Sequence, residues 1–177
     1  LYLKDTVKAL RDYDTAVLLN KFDPEGYIRR SRVYAMQENY TAALADLDQA
    51  LSLDPDNSFA YFNRALIRFN QNDLTGALQD LERVLEEDPG NALTLYNRAL
   101  IRTQIGDYNN ALSDYDRVIS INPNNVLAYY NRGALFIQMG RYSVALRDYD
   151  KAIELYPDFA NAYMNRSYVK NRMGLFA

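Results

Sequence analysis

The feature that most constrains this chain is a proline that recurs every 34 residues. The recurring prolines are Pro55, Pro89, Pro123 and Pro157. When these prolines are set at position 32 of a 34-residue unit, the units begin at Pro24, Ser58, Ala92, Val126 and Ala160. A period of this length is typical of proteins built from stacked supersecondary units, so we expect a repeat architecture.

Other columns of the unit keep the same register. Position 20 holds Ala43, Ala77, Ala111 and Ala145, and position 8 holds Ser31, Ala65, Ala99, Gly133 and Ser167. Small residues let two helices approach closely, and apolar residues around them recur at a helical period. Each unit therefore predicts two helices, the second ending before its proline. One hairpin cannot bury both faces, whereas stacked hairpins share a core, so we predict an all-α solenoid.

Composition excludes several classes of function. The chain of 177 residues has no Cys and no His, which removes disulfides, thiol nucleophiles, imidazole bases and ordinary zinc sites. Its 20 basic and 23 acidic residues give a formal charge of −3, without the basic patch that a nucleic acid requires. No apolar run approaches the length of a membrane span. We therefore expect no catalysis, no cofactor, no metal, no nucleic-acid partner and no direct membrane insertion.

The columns resemble those of the tetratricopeptide repeat (TPR) family, which has aromatic, small, alanine and proline residues at fixed positions. The unit from Val126 to Phe159 matches the family pattern best, at Tyr129, Gly133, Tyr142, Ala145, Tyr149, Ala152 and Pro157. An arginine at position 7 departs from the usual leucine, and the Asn-Arg-Gly/Ala wording is similar to a bacterial subgroup. The resemblance implies a right-handed α-solenoid of antiparallel helix hairpins whose first helices line a concave groove.

We expect one TPR domain over residues 1–177. Its full repeats would be 24–57, 58–91, 92–125 and 126–159. Residues 1–23 would form the second helix of a truncated repeat, and residues 160–177 the first helix of another. Since neither terminal helix has the polar outer face of a cap, we expect the parent protein to continue in both directions, or these ends to contact other chains.

Asparagines recur at position 6, on the groove side that the resemblance implies. They are Asn63, Asn97, Asn131 and Asn165. The column resembles an asparagine ladder of the family, in which side-chain amides bind the backbone of an extended peptide. An amide suits this task because it offers both a donor and an acceptor. The alternative is that these amides bond within the solenoid and brace adjacent helices.

Apolar and aromatic residues occupy neighbouring groove positions. The candidates are Phe59, Phe62, Phe69, Tyr96 and Tyr130. Large rings supply contact area at low entropic cost, so we expect them to give side-chain selectivity for an apolar or mixed ligand. Alternatively, several of them pack between helices. The two-carboxylate clamp of chaperone-binding family members is not expected, because positions 5 and 9 lack its lysine and asparagine.

Charged residues recur as regularly as the asparagines. Position 7 holds Arg30, Arg64, Arg98, Arg132 and Arg166, and position 23 holds Asp46, Asp80, Asp114 and Asp148. A guanidinium can bond two carboxylates at once, so we predict a structural ion-pair ladder along the repeats. The alternative is a row of guanidinium groups that contacts an acidic ligand.

Together these patterns predict a protein–protein interaction scaffold that holds an extended segment of a protein or peptide partner in its concave groove. The alternatives are a structural spacer or self-assembly element of a larger complex, with self-association through open repeat ends, or a regulatory arm. The sequence does not indicate the partner's identity or a cellular compartment.

Overall fold

The helices begin and end at residues whose side chains or backbone satisfy the helix termini. Asn57, Asn91 and Asn125 each precede a helix and accept a hydrogen bond from the backbone N–H three residues later. The side chain of Asp23 likewise accepts a hydrogen bond from the backbone N–H of Glu25, and Pro24 occupies the first helical position. These are the preferred residues for capping the free N–H groups of a helix N-terminus. The capping signals thus place the start of each of these helices.

The turn that follows the first helix of each repeat contains a left-handed residue at position 15. Gly106, Gly140 and Gly174 have φ values of 82°, 72° and 70°. Glu38 and Asn72 occupy the same position with φ values of 58° and 63°, although neither is glycine. The turn geometry of the repeat therefore imposes this conformation even where the side chain resists it.

The computed structural model describes residues 2–175, and side chains from Thr6 onward. Within these residues it contains ten α-helices and no strand. They are α1 Tyr2–Leu19, α2 Pro24–Met36, α3 Tyr40–Leu53, α4 Ser58–Asn70, α5 Leu74–Glu87, α6 Ala92–Gln104, α7 Tyr108–Ile121, α8 Val126–Gln138, α9 Tyr142–Leu155 and α10 Ala160–Arg172. Helices α2, α4, α6, α8 and α10 begin at the residues that open the sequence repeats. Leu1, Phe176 and Ala177 of the predicted domain lie outside the described residues.

The chain divides into two compact units, the first ending at Pro89 and the second beginning at Gly90. In the first unit, α2 packs on α3 and α4 on α5, while α1 contacts α2 and α3 contacts α4. In the second unit, α6 packs on α7, α8 on α9 and α9 on α10, with α7 against α8. That the repeats form a single domain stays a prediction.

Small residues set the spacing between paired helices, as the sequence predicts. Ala43 and Ala77 in the first unit, and Ala111 and Ala145 in the second, are fully buried. A Cβ atom at Gly133 would lie 3.2 Å from the ring of Tyr149, so even an alanine there would be tightly packed. Residues of the second helices fill the core beside these contacts.

Candidate binding face

The arginines at position 7 lie in a repeated ion-pair arrangement. Arg30 donates from Nε and Nη2 to the two carboxylate oxygens of Asp46, at 2.8 and 2.7 Å. Its Nη1 donates to Asp14 at 2.9 Å. Each acidic partner lies 16 residues from the arginine, one on each side. One guanidinium therefore joins the second helices of two successive repeats.

The same geometry recurs in other repeats. Arg64 bonds Asp80 and Asp48, Arg132 bonds Asp148 and Asp116, Arg98 bonds Asp114, and Arg166 bonds Asp150. In most repeats the guanidinium also lies over the tyrosine ring at position 4, at 5.0 to 5.7 Å from Tyr27, Tyr61, Tyr129 or Tyr163. Among these residues, the position-7 arginines and the position-23 aspartates are those predicted to form the ladder.

The ladder is largely shielded from solvent. Its position-23 carboxylates are 2 to 8% exposed, and the four arginines that bond them are 13 to 17% exposed. The hydrogen bonds to Asp46 raise the pKa of Arg30, so its charge is held firmly. Because these donors already face protein carboxylates, the geometry favours the structural interpretation over a row that binds an acidic ligand.

Two further arginines join this ladder that sequence reasoning did not assign. Arg68 and Arg102, both at position 11, each donate from Nη1 to the aspartate of the ladder, Asp80 or Asp114, at 2.7 Å. Arg68 also donates to the carbonyl of Gly76 at 3.2 Å. The signal was present in the sequence, since position 11 lies one helical turn after position 7 and faces the same carboxylate.

The asparagine column divides into two kinds of contact. Asn63 and Asn97 donate from Nδ2 to the backbone carbonyl four residues earlier in their own helices, at 2.7 and 2.8 Å. Asn131 donates instead to the hydroxyl of Tyr96, at 2.6 Å. Asn165 lies 3.2 Å from the hydroxyl of Tyr130 and 3.3 Å from that of Tyr149. The last two asparagines therefore bridge helices of the second unit.

The residue 35 positions earlier explains this division. Asn131 and Asn165 have Tyr96 and Tyr130 there, and a tyrosine hydroxyl can accept the amide hydrogen. Asn63 has Ile28 at that offset within the first unit, and isoleucine supplies no hydroxyl. An amide without such an acceptor bonds to its own helix.

The predicted aromatic residues differ in exposure. Phe59 is 52% exposed, while Phe62 and Phe69 are half-buried. Tyr96 and Tyr130 are also half-buried and belong to the second unit's packing. The ring of Tyr130 lies 5.8 Å from that of Tyr149 and 4.7 Å from that of Phe159.

Exposed apolar residues also follow position 2 of the repeats. Phe59, Leu93 and Leu127 are 52, 59 and 51% exposed, one on the first turn of each of α4, α6 and α8. Leu93 and Leu127 were not among the candidate residues predicted from the sequence. None of the helices in residues 2–175 has the length and hydropathy needed to span a bilayer.

Paired antiparallel helices with a 34-residue period define a helical-repeat protein of the α-solenoid class. Family profiles identify the repeat. A profile described as tetratricopeptide repeat matches residues 2–58 and 28–92, a second of that description matches 126–159, and one described as TPR repeat matches 99–140. The chain belongs to the tetratricopeptide repeat family. It is therefore a protein-interaction scaffold, and both the predicted family and the all-α solenoid fold are confirmed.

Solved structures with the same fold come from several proteins. A tetratricopeptide repeat protein from Parabacteroides merdae is 25% identical, with a TM-score of 0.84 over 97% of this chain and 68% of that one. YrrB, described as a TPR protein with an unusual peptide-binding site, is 23% identical, with a TM-score of 0.81 over 94% and 86%. MamA from Desulfovibrio magneticus is 19% identical, with a TM-score of 0.82 over 88% of each chain. The comparison with curated proteins returned no match.

Proposed function

We propose that this scaffold binds an extended segment of a partner protein along the face formed by the first helices of its repeats. The observation that carries this proposal is that the apolar side chain of sequence position 2 is half exposed in both units, as Phe59 in the first and as Leu93 and Leu127 in the second; these three residues are called the exposed column. Leaving three large apolar side chains half exposed at one repeat position is unusual, because each would be stabilised by burial. A partner's apolar side chains would cover them.

The asparagines beside this column supply the polar part of the proposal. Asn63 and Asn97 each use one amide hydrogen on their own helix. Each side chain keeps a second N–H and an oxygen to offer, and an extended backbone presents a matching carbonyl and N–H. We assign backbone contacts to these two residues, and to Asn131 and Asn165 only if the ligand displaces their tyrosine partners. Phe62 and Phe69 would contribute side-chain contacts, with Tyr96 and Tyr130 as more deeply packed neighbours.

The family relationship supports this assignment. YrrB, which shares the fold, is described as having a peptide-binding site. TPR proteins generally act as interaction modules and not as enzymes, which agrees with a chain that lacks both His and Cys. Our proposal extends peptide binding to this chain on the strength of its own exposed column.

A second candidate function is self-assembly, or a spacer role in a larger complex. It is favoured by exposed apolar residues on the two terminal helices and their flanks. They are Leu18, Leu19 and Phe22 near α1, and Tyr163, Met164 and Tyr168 on α10. Sedimentation velocity over a range of protein concentrations separates this function from partner binding, since only self-assembly makes the mass rise with concentration.

The test of groove binding compares two triple variants. Phe59→Ser, Leu93→Ser and Leu127→Ser together remove the exposed column. Ile105→Ser, Ile121→Ser and Tyr156→Ser are the matched control, because these residues are about equally exposed and lie outside the first turns of the first helices. Partners captured from a lysate are quantified by mass spectrometry after circular dichroism shows both variants folded. We expect the column variant alone to lose partners; equal retention by both variants would overturn the proposal.

A further inference from the structure

A cleft in the first unit lies between the first helices of two successive repeats, α2 and α4. Its volume is about 330 Å³, at the lower end of the range of small ligand pockets. Ser31 and Ile67 are buried in its floor, and Ala35, Met36 and Leu66 line its sides. Met36 is 69% exposed. The cleft therefore offers an apolar space for a single large side chain.

Three polar side chains border this apolar space: Arg32, Asn63 and Asn70. Asn63 is the asparagine whose oxygen we assign to a partner's backbone. Arg32 is exposed, and within residues 6–175 its guanidinium makes no hydrogen bond, ion pair or ring contact. It is thus a charge beside the cleft that is available to an outside group.

The charge balance of the two helices leaves Arg32 uncompensated. Glu25 is the sole acidic residue in α2 and α4, and it is paired with Arg29 at 2.6 Å. The other arginines of these helices, Arg30, Arg64 and Arg68, bond aspartates of second helices. Among the charged side chains of α2 and α4, Arg32 alone therefore has no carboxylate partner, which favours an acidic group in whatever occupies the cleft.

This charge is specific to one repeat. Arg32 stands at position 9, and the same position holds Leu66, Leu100, Ala134 and Tyr168 elsewhere. A charge that occurs once along a repeating surface marks one place on it. It can therefore fix the register of a bound segment that the repeated asparagines and apolar residues would otherwise let slide.

We propose that the cleft binds an apolar side chain of the partner segment while Arg32 bonds an aspartate or glutamate side chain next to it in that segment. This inference rests on the proposed function and adds to it the chemistry and the register of the ligand. The carboxylate belongs to an internal acidic residue, because the face continues along α4 past the cleft, at the exposed Phe59.

The experiment starts from random nonapeptides displayed on phage, joined to the coat protein at their C-termini so that no free C-terminal carboxylate is present. Peptides are selected on the wild-type protein, and the enriched sequences are synthesised with an amidated C-terminus. We expect enrichment of a large apolar residue with Asp or Glu within two positions. Selected peptides that lack an acidic residue would overturn the inference.

Affinities of the synthetic peptides are then measured by fluorescence anisotropy on two charge-reversed proteins. Arg32→Glu is expected to weaken binding of the acidic peptide by about fivefold or more, because an exposed ion pair is lost and two carboxylates then repel each other. The same change should spare the peptide in which Gln or Asn replaces the acid. The control is Arg147→Glu, because Arg147 is exposed and likewise makes no side-chain contact within residues 6–175.

The outcomes separate this inference from the proposed function. If Phe59→Ser and Leu66→Ser weaken binding but Arg32→Glu leaves the acid preference intact, the partner binds the face and only our assignment of Arg32 fails. If neither serine variant affects the selected peptides, they bind elsewhere and both proposals fail. A free-acid peptide that binds only through its terminal carboxylate would also contradict the internal acidic residue.

Discussion

The two units of this protein use different residues at the same core position. Position 24, on the second helix of each repeat, is Leu47 and Leu81 in the first unit but Tyr115 and Tyr149 in the second. All four side chains are buried to 1% exposure or less. The first core is therefore aliphatic at this position, whereas the second contains hydroxyl groups that must be hydrogen-bonded.

The tyrosines of the second unit form two ring pairs. The rings of Tyr96 and Tyr115 lie 6.1 Å apart in an edge-on arrangement, and those of Tyr130 and Tyr149 lie 5.8 Å apart at a similar angle. Asn165, on α10, donates to the hydroxyl groups of Tyr130 and Tyr149. Edge-to-face pairs and buried hydroxyl bonds add directionality to a core that would otherwise be held by contact area alone.

This difference shows that a repeated residue need not have a repeated role. Asn63 and Asn165 occupy the same column, yet one bonds its own helix and the other braces a neighbour. The choice depends on whether a tyrosine stands one repeat earlier. Asn63 of the first unit and Asn97 of the second therefore keep amide groups to offer a ligand, whereas Asn131 and Asn165 brace helices of the second unit.

The largest expected effect concerns the ion-pair ladder, which is present in both units. Asp46→Ala and Asp148→Ala each leave an equivalent arginine, Arg30 or Arg132, with one carboxylate in place of two. Removing one partner of a buried pair costs about 3 kcal/mol, so we expect both variants to lose about this much unfolding free energy in urea titrations. Asp116→Ala, at an exposed partner, is the control and should cost less than about 1 kcal/mol. A much smaller loss for one aspartate would mean that the ladder also differs between the units.

A smaller effect is expected from high pH, and it should originate in the second unit. Burial raises the pKa of Tyr115 and Tyr149 above the ordinary tyrosine value. The unfolded chain then loses these protons first, so the stabilisation is complete below about pH 10 and declines as the pH rises further. We expect a loss of about 2 kcal/mol between pH 10 and 11 from these two residues, measured as the shift in urea midpoint.

The control for this pH dependence is the double variant Tyr115→Phe and Tyr149→Phe. It keeps both rings but removes the groups that titrate, so its decline between pH 10 and 11 should be shallower than that of the wild type. If the two pH profiles run parallel, the alkaline sensitivity arises elsewhere, and the tyrosine core does not distinguish the units in this way.

The smallest effect separates the two kinds of asparagine. Asn165→Ala removes bridging hydrogen bonds and should lower the unfolding free energy by about 1 kcal/mol. Asn63→Ala should change it by no more than about 0.5 kcal/mol, and in the stabilising direction, because alanine favours a helix more than asparagine does. If both variants lose equal unfolding free energy on chemical denaturation, Asn63 also stabilises the fold and its amide is not available for a ligand.

The arginine–aspartate contacts of the ladder followed from sequence columns alone. The position-7 arginines and position-23 aspartates repeat at fixed spacing, and the structure places each of the four described pairs in contact. The sequence left two interpretations of the asparagines open: the structure shows bracing contacts for Asn131 and Asn165, and ligand contact stays a prediction. Position 11 was treated as a departure from the family pattern, although Arg68 and Arg102 share the ladder aspartates.

The sequence by itself determined the fold, because a 34-residue period with small residues, capping residues and prolines in register leaves few alternatives to stacked hairpins. Local signals of this kind act within a few residues and can be recognised without a structure. The tertiary structure alone decided the partner of each asparagine and the left-handed conformation of Glu38 and Asn72. It also formed the cleft beside Arg32. These features depend on side chains about one repeat apart in sequence, or on turn geometry imposed by packing, and only folding brings them together.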